Sequence, residues 1–160
     1  MDGNTGAGFS CSLTAALPMV RESGSVKLST PCNIYAECGD MCRMAQESFV
    51  CFDMNAKNQI IEKRLISLGI VNASLVHPRE VFRGAIVNGA CSVIVAHNHP
   101  TGDTAPGAEN LLITRQLVEA GKIIGIRVLD HVIIGRPSDG QQGWLSMQEV
   151  EAAINKVVKT

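Results

Sequence analysis

The feature that most constrains this chain is the apolar run Cys91-Ser92-Val93-Ile94-Val95-Ala96, which passes without a break into His97-Asn98-His99-Pro100 and a Gly/Pro-rich loop. Such a run predicts a strand that ends at the histidines. Residues i and i+2 of a strand project to the same side, so the imidazoles of His97 and His99 can converge on one metal ion. Two of the four histidines of the chain are thus paired where strand meets loop. A hydrolytic zinc site needs about three protein ligands, an open position for water and a carboxylate that takes the proton from that water. The remaining parts must come from elsewhere in the sequence.

The segments around this strand alternate between helical and extended patterns. Ser29-Thr30-Pro31 gives a helix start, and Ile34, Cys38, Met41 and Ala45 follow at helical spacing. Glu47 to Phe52 and Gln59 to Ile66 are extended runs joined by the turn residues 53–58, which predicts a hairpin of adjacent antiparallel strands. His77-Pro78-Arg79-Glu80 opens a second helix with Val81, Phe82, Ala85 and Ile86 as its buried stripe and Asn88-Gly89 as its end. Beyond the histidines, Leu111, Ile113, Leu117 and Val118 predict a helix stopping near Gly121. Apolar runs Ile123 to Leu129 and His131 to Ile134 follow, then a polar turn, a short strand at Trp144-Leu145, and a last helix from Ser146 to Lys159 with Val150, Ile154 and Val157 inward. This order predicts an α/β layered domain. Residues 1–28 are expected to form a flexible N-terminal segment, because Met1 to Gly8 is small and polar and Pro18 interrupts the mildly apolar Leu13 to Val20. The folded domain is expected over 29–160.

With 160 residues, 46% of them hydrophobic, the chain can bury one real core. A net charge of -1 offers no basic footprint for phosphates, so strong direct nucleic-acid binding is not expected. Six cysteines with no leader pattern at the start predict reduced thiols and a cytoplasmic protein. Cys32, Cys38 and Cys42 lack the paired spacing of a zinc knuckle and are expected to be core thiols. No stretch reaches the roughly 18 apolar residues of a membrane span, since Gly125, Arg127, Asp130 and His131 interrupt Ile123 to Ile134. Gly102 and Gly107 are not followed by the lysine of a phosphate loop.

Glu47, then His97-Asn98-His99-Pro100, then a loop reaching Pro106, closely resemble the JAMM (MPN-plus) zinc metallopeptidase domain. With His77-Pro78-Arg79-Glu80-Val81, Thr101-Gly102-Asp103, Thr114-Arg115 and Leu129-Asp130-His131 added, the chain resembles the bacterial RadC branch from Ser29 to Ile134. The resemblance implies a mixed, mostly antiparallel sheet flanked by helices, of the MPN and cytidine-deaminase-like kind. It implies one zinc ion held by His97 and His99, with Glu47 as general base. The implied reaction is hydrolysis of a peptide or isopeptide-type amide by a metal-bound water, and the implied partners are a peptide or protein substrate and proteins of DNA repair. It also leads us to expect the metallo-domain without the helical DNA-binding-type segment of full-length RadC proteins.

In that family the motif continues with a serine and, three residues later, an aspartate. Here those positions are Gly107 and Asn110. Asn110 offers only a neutral amide oxygen as third ligand, so zinc is expected to be held weakly. Gly107 leaves a main-chain N–H at the oxyanion position, at a cost of a few kcal/mol in transition-state stabilisation. Asp103, Glu109 and Asp130 are nearby carboxylates, and the sequence favours none of them as a replacement. Asp130 and His131 are adjacent on a strand, so at most one faces the site, where it would orient a ligand imidazole.

Each of these residues also has a simpler role. The histidine pair can brace the turn around Pro100, Glu47 can be a solvated strand-start carboxylate, and Asn110 can bond locally in a first helical turn. Asp130-His131 can be a buried structural pair, and His77 a plain helix-entry residue. The retained Glu47, His97 and His99 favour an attenuated hydrolase. The altered Gly107 and Asn110 favour a non-catalytic MPN-type module that binds partners in DNA repair or processing.

Overall fold

Five strands form one sheet in the computed structural model, which describes residues 26–69, 76–138, 140 and 142–158. They are β1 (Ser48–Met54), β2 (Ile60–Leu68), β3 (Ser92–Asn98), β4 (Arg127–Ile134) and β5 (Trp144–Ser146), in the order β2-β1-β3-β4-β5. Pairings β1–β2, β1–β3 and β4–β5 are antiparallel and only β3–β4 is parallel, the mixed and mostly antiparallel sheet expected. A parallel pair cannot be closed by a hairpin, so the chain crosses from β3 to β4 through a loop and the helix α3 (Ala108–Ile124).

Every residue of β1 and β3 is buried, because helices cover both faces of the sheet. On one face Phe49, Cys51, Val93 and Val95 pack with Val81, Phe82 and Ala85 of α2 (Pro78–Val87) and with Ile113 and Leu117 of α3. On the other, Val50, Phe52, Ile94, Ala96 and Val132 meet Ile34 and Cys38, at α1 (Pro31–Glu37), and Met41 of a 3-10 turn over Met41–Arg43. A last helix, α4 (Met147–Val158), follows β5. This is the α/β layered arrangement predicted from the pattern.

Both proline-led helix starts occur as read: Thr30 caps α1, and His77 Nδ1 accepts the Arg79 N–H at 3.2 Å to cap α2. Helix α1 is shorter than its apolar spacing suggested. It stops at Glu37, where Gly39 and Asp40 are poor helix formers; Met41 still reaches the core but Ala45 is exposed. Helix α3 runs past Gly121, which is a packing position: a Cβ there would lie 2.5 Å from the Ile126 carbonyl oxygen. The stop is Gly125, left-handed at φ 81. Ile123 and Ile124 are therefore helical, and the two apolar runs expected here resolve into the single strand β4. Cys38 is buried and Cys42 half-buried, but Cys32 faces solvent from the first turn of α1, contrary to its expected core role. Ile86 is likewise exposed, at the end of α2 beyond the edge of the apolar stripe.

Of the segment expected to be flexible, residues 26–28 are docked: Lys27 bridges Gln59, Leu28 N donates to the Asn58 carbonyl at 3.0 Å, and the Leu28 side chain is buried. Residues 1–25 lie outside the described residues, as do the side chains of Ile154 and Val157. Among the described residues no helix is long and apolar enough to cross a membrane.

One buried ion pair carries no sequence signal. The fully buried Asp53 accepts from Arg64 Nη2 at 2.6 Å and from Arg64 Nε at 2.7 Å, and the same guanidinium donates to the Val81 carbonyl at 2.8 Å. It thereby ties β2 to α2. The fork fits only because Gly84 has no side chain, since a Cβ there would lie 2.4 Å from Arg64 Nη1.

Candidate metal centre

His97 is the penultimate residue of β3 and projects to the face covered by α2 and α3. It is 1% exposed, and its ring stacks on Phe49 with centroids 6.0 Å apart and planes 10° from parallel. His99 lies just past the strand end, and its Nε2 is 3.0 Å from Nε2 of His97. The i, i+2 argument therefore holds, and the two ring nitrogens face each other.

The loop carrying His99 is fixed against the end of β4. His99 N donates to the Ile134 carbonyl at 2.9 Å, Gly102 N to the His99 carbonyl at 2.9 Å, and Arg136 N to the Gly102 carbonyl at 3.0 Å. His99 Nδ1 is 2.7 Å from the Asp103 carbonyl oxygen. A carbonyl only accepts, so Nδ1 carries a hydrogen, which in the neutral form of the ring leaves Nε2 as a bare lone pair.

Asn110 sits in the first turn of α3, buried, with Nδ2 3.1 Å from His99 Nε2. In this orientation its amide donates to that lone pair. A half-turn about the amide bond would present Oδ1, a neutral oxygen ligand. Gly107 is the N-cap of α3, and no atom lies within 4 Å of where a Cβ would stand, so a serine fits there.

His131, on β4, reaches the same cluster. Its Nε2 is 2.7 Å from Nδ1 of His97, and its Nδ1 is 2.6 Å from Thr114 Oγ1 of α3. Burial, and then the neighbouring imidazoles, push His97 well below the ordinary histidine range; burial pushes His131 down to about 3. Both rings are therefore neutral near neutral pH, the state in which imidazole binds a metal. Asp130 does not join them. Its side chain points to the opposite face of the sheet, where Oδ2 accepts from Ser146 Oγ at 2.8 Å and Oδ1 from the N–H groups of His131 at 2.7 Å and Gln148 at 3.2 Å. Burial raises its carboxyl pKa. Of the two residues considered for orienting a ligand, strand alternation gives only His131 to the site.

Glu47 immediately precedes β1. Phe49 pairs with His97, so Glu47 stands across from His99 at the end of the β1–β3 ladder, half-buried. Its carbonyl accepts from Gly69 N at 2.8 Å. Asn98 holds the peptide on either side of it: Oδ1 accepts from Ser48 N at 2.7 Å and Ser48 Oγ at 2.8 Å, and Nδ2 donates to the Gln46 carbonyl at 3.0 Å. Asn98 and Thr114 are the residues whose roles at the site sequence reasoning missed. Asn98 lies between two inward histidines and so faces the other side, where a buried amide must find partners. Thr114 is one helical turn after Asn110.

Among the described residues, no three His, Cys, Asp or Glu side chains meet in an arrangement that would hold a metal ion. The gap between His97 and His99 has the Asn110 amide as its third neighbour. Two convergent imidazoles fit zinc, and a neutral third donor makes the set a weak one.

Residues 28–152 match the family model described as the RadC-like JAB domain. A UPF0758 protein of Bacillus licheniformis is 48% identical over 111 residues, which cover 69% of this chain and 47% of the relative. UPF0758 proteins of Bacillus cereus strain AH187 and Bacillus anthracis strain A0248 are each similar at 53% identity over 96 residues, 60% of this chain and 43% of the relative. The match thus spans less than half the length of these relatives.

Proposed function

Because the chain belongs to the RadC-like JAB domain family, we propose that it is a zinc-binding domain of the JAMM hydrolase type, with activity toward peptide or isopeptide-type amides attenuated by Gly107 and Asn110. The observation that carries this reading is the convergence of His97 Nε2 and His99 Nε2 at 3.0 Å, with the His99 proton committed to the Asp103 carbonyl. His97 and His99 would hold the ion, and Asn110 would add a neutral oxygen after turning its amide. A zinc ion held there would supply Lewis acidity toward a carbonyl oxygen and toward water. Glu47 accepts the proton of the attacking water, and the Asn98 bonds keep its backbone in register with His99. Gly107 offers the developing oxyanion a main-chain N–H alone. Reduced cysteines suit a cytoplasmic setting.

The second reading is a non-catalytic module that binds partners in DNA repair or processing, favoured by the neutral Asn110 and the missing hydroxyl at Gly107. Zinc titration and amide-hydrolysis assays on the unmodified protein, Asn110→Asp, Gly107→Ser and the double variant separate the two. Attenuated catalysis requires weak zinc binding that Asn110→Asp tightens, and hydrolysis that rises in the double variant. No zinc in either the unmodified protein or Asn110→Asp overturns the metal site. Tight zinc with no hydrolysis in the double variant favours the binding module.

A further inference from the structure

Behind the His97–His99 pair the side chains form an unbroken series of short contacts. Asn110 O is 2.7 Å from Thr114 Oγ1, which is 2.6 Å from His131 Nδ1; His131 Nε2 is 2.7 Å from His97 Nδ1. His97 Nε2 is then 3.0 Å from His99 Nε2, and His99 Nδ1 is 2.7 Å from Asp103 O. Both ends are main-chain carbonyls, which only accept. The groups between them are one hydroxyl and three imidazoles, and a hydroxyl or an imidazole in its neutral form brings a single proton. Four protons serve five contacts, so one contact has none.

The geometry assigns that vacancy. The His97–His99 contact is the longest of the series, and a donor from outside the series, the Asn110 amide, lies 3.1 Å from its His99 nitrogen. With the gap there, every other proton has one direction: the Thr114 hydroxyl donates to Asn110 O and accepts from His131 Nδ1–H, and His131 Nε2 accepts from His97 Nδ1–H. His97 Nε2 is left bare. We propose that Thr114 is a positioning residue that acts through His131 to hold His97 in its Nδ1–H tautomer, keeping Nε2 open to a cation.

Without the hydroxyl, a proton on His131 Nδ1 would face no acceptor, and an unmet buried donor is costly. The proton moves to His131 Nε2 and donates to His97 Nδ1. The His97 proton then sits on Nε2 and donates to His99, blocking the atom that would bind metal. The inference rests on the reading of His97 and His99 as ligands, and it concerns what prepares them.

The test is nitrogen NMR of the imidazoles in the metal-free full chain, together with zinc titration. In the unmodified protein His97 and His131 are both expected as Nδ1–H. Thr114→Val is expected to move both to Nε2–H and to weaken zinc binding about tenfold to a hundredfold, the usual effect of losing a partner behind a ligand. Thr114→Ser restores both properties. A Thr114 that served packing alone would change stability and leave the tautomers as they are. His97 found as Nε2–H in the unmodified protein overturns the inference, even where Thr114→Val does not fold. Unchanged tautomers in a folded Thr114→Val overturn it too. Tautomers that follow Thr114 in a protein that binds no zinc would sink the proposed function and leave this inference standing; zinc binding with tautomers indifferent to Thr114 is the reverse.

Discussion

Replacing Gly135 with alanine is expected to loosen the metal centre without altering any group in it. A Cβ at this position would lie 2.3 Å from the Gly102 carbonyl oxygen and 2.6 Å from Thr104 Cγ2. Ordinary carbon–oxygen contacts lie at about 3.3 Å or more, so the loop backbone must retreat by about 1 Å. Gly102 N donates to the His99 carbonyl, so the retreat carries into the stretch where His99 Nδ1 bonds Asp103 O. Loss of that orientation should weaken zinc binding about tenfold to a hundredfold. The overpacking itself should cost about 1–3 kcal/mol of folding stability.

Gly84→Ala is the matched control. It crowds the Arg64 guanidinium held on the buried Asp53, an overpacking worth about 1–3 kcal/mol, at a place that supplies nothing to the histidines. Competition titration of zinc against a chromophoric chelator, with urea unfolding of the same samples, separates the two effects. Gly135→Ala with unchanged zinc affinity, or Gly84→Ala weakened by as much, refutes the coupling between this glycine and His99.

Asp130→Ala should cost about 2 kcal/mol by stranding Ser146 Oγ and the N–H groups of His131 and Gln148, with zinc affinity preserved because its side chain lies on the face of the sheet opposite the His131 ring; a large loss of affinity would contradict that geometry. Asn98→Ala should lower any hydrolysis more than zinc binding, since it frees Gln46 and Ser48 around Glu47 and touches no ligand; equal losses in the two assays would count against it. In metal-free protein, stability should fall as the pH drops below about 6.5, the unfolded histidine value. Folded His131 is held down to about 3, so across that window the unfolded chain binds the extra proton, worth about 2 kcal/mol at pH 5. His97 adds to the loss in the same direction; urea midpoints that stay flat from neutral pH to pH 5 would contradict the neutral burial of both rings.

The sequence announced what depends on local pattern. The turn between two extended runs, the prolines after Thr30 and His77, and the histidines two apart at a strand end are all short-range signals, and each produced its element, although the turn begins only at Asn55 because Asp53 and Met54 belong to β1. The errors come where two local rules competed. Gly121 and Gly125 both look like helix stops; the first is spent on letting α3 approach Phe82 and the Ile126 carbonyl, which only tertiary packing decides. At the site, His97 and His99 were legible from alternation, and Asp130 and His131 could be separated only by the direction of the strand. Thr114 and Asn98 stood inside recognised motifs, but their roles were not legible, because their partners lie far away in sequence: Thr114 meets His131 from another element, and Asn98 reaches back to Ser48. The Arg64–Asp53 pair escaped for the same reason, since two charged residues on neighbouring strands look from sequence like a solvated edge.

Asn98 and Ser48 are 50 positions apart, and His97 and His131 are 34 apart. The supports of the candidate metal centre thus come into being only when β1, β3 and β4 have paired. An unfolded chain keeps the His97–His99 pair and the cysteines as ligands but loses these supports, so zinc would favour folded molecules only as far as the assembled site outbinds the loose thiols and imidazoles. At free zinc a hundredfold above its dissociation constant, the native state would gain about 2.7 kcal/mol, and near the dissociation constant almost nothing. If the proposed ion is held weakly, the amount of folded protein would follow metal supply, a dependence that a site filled at all times would not have.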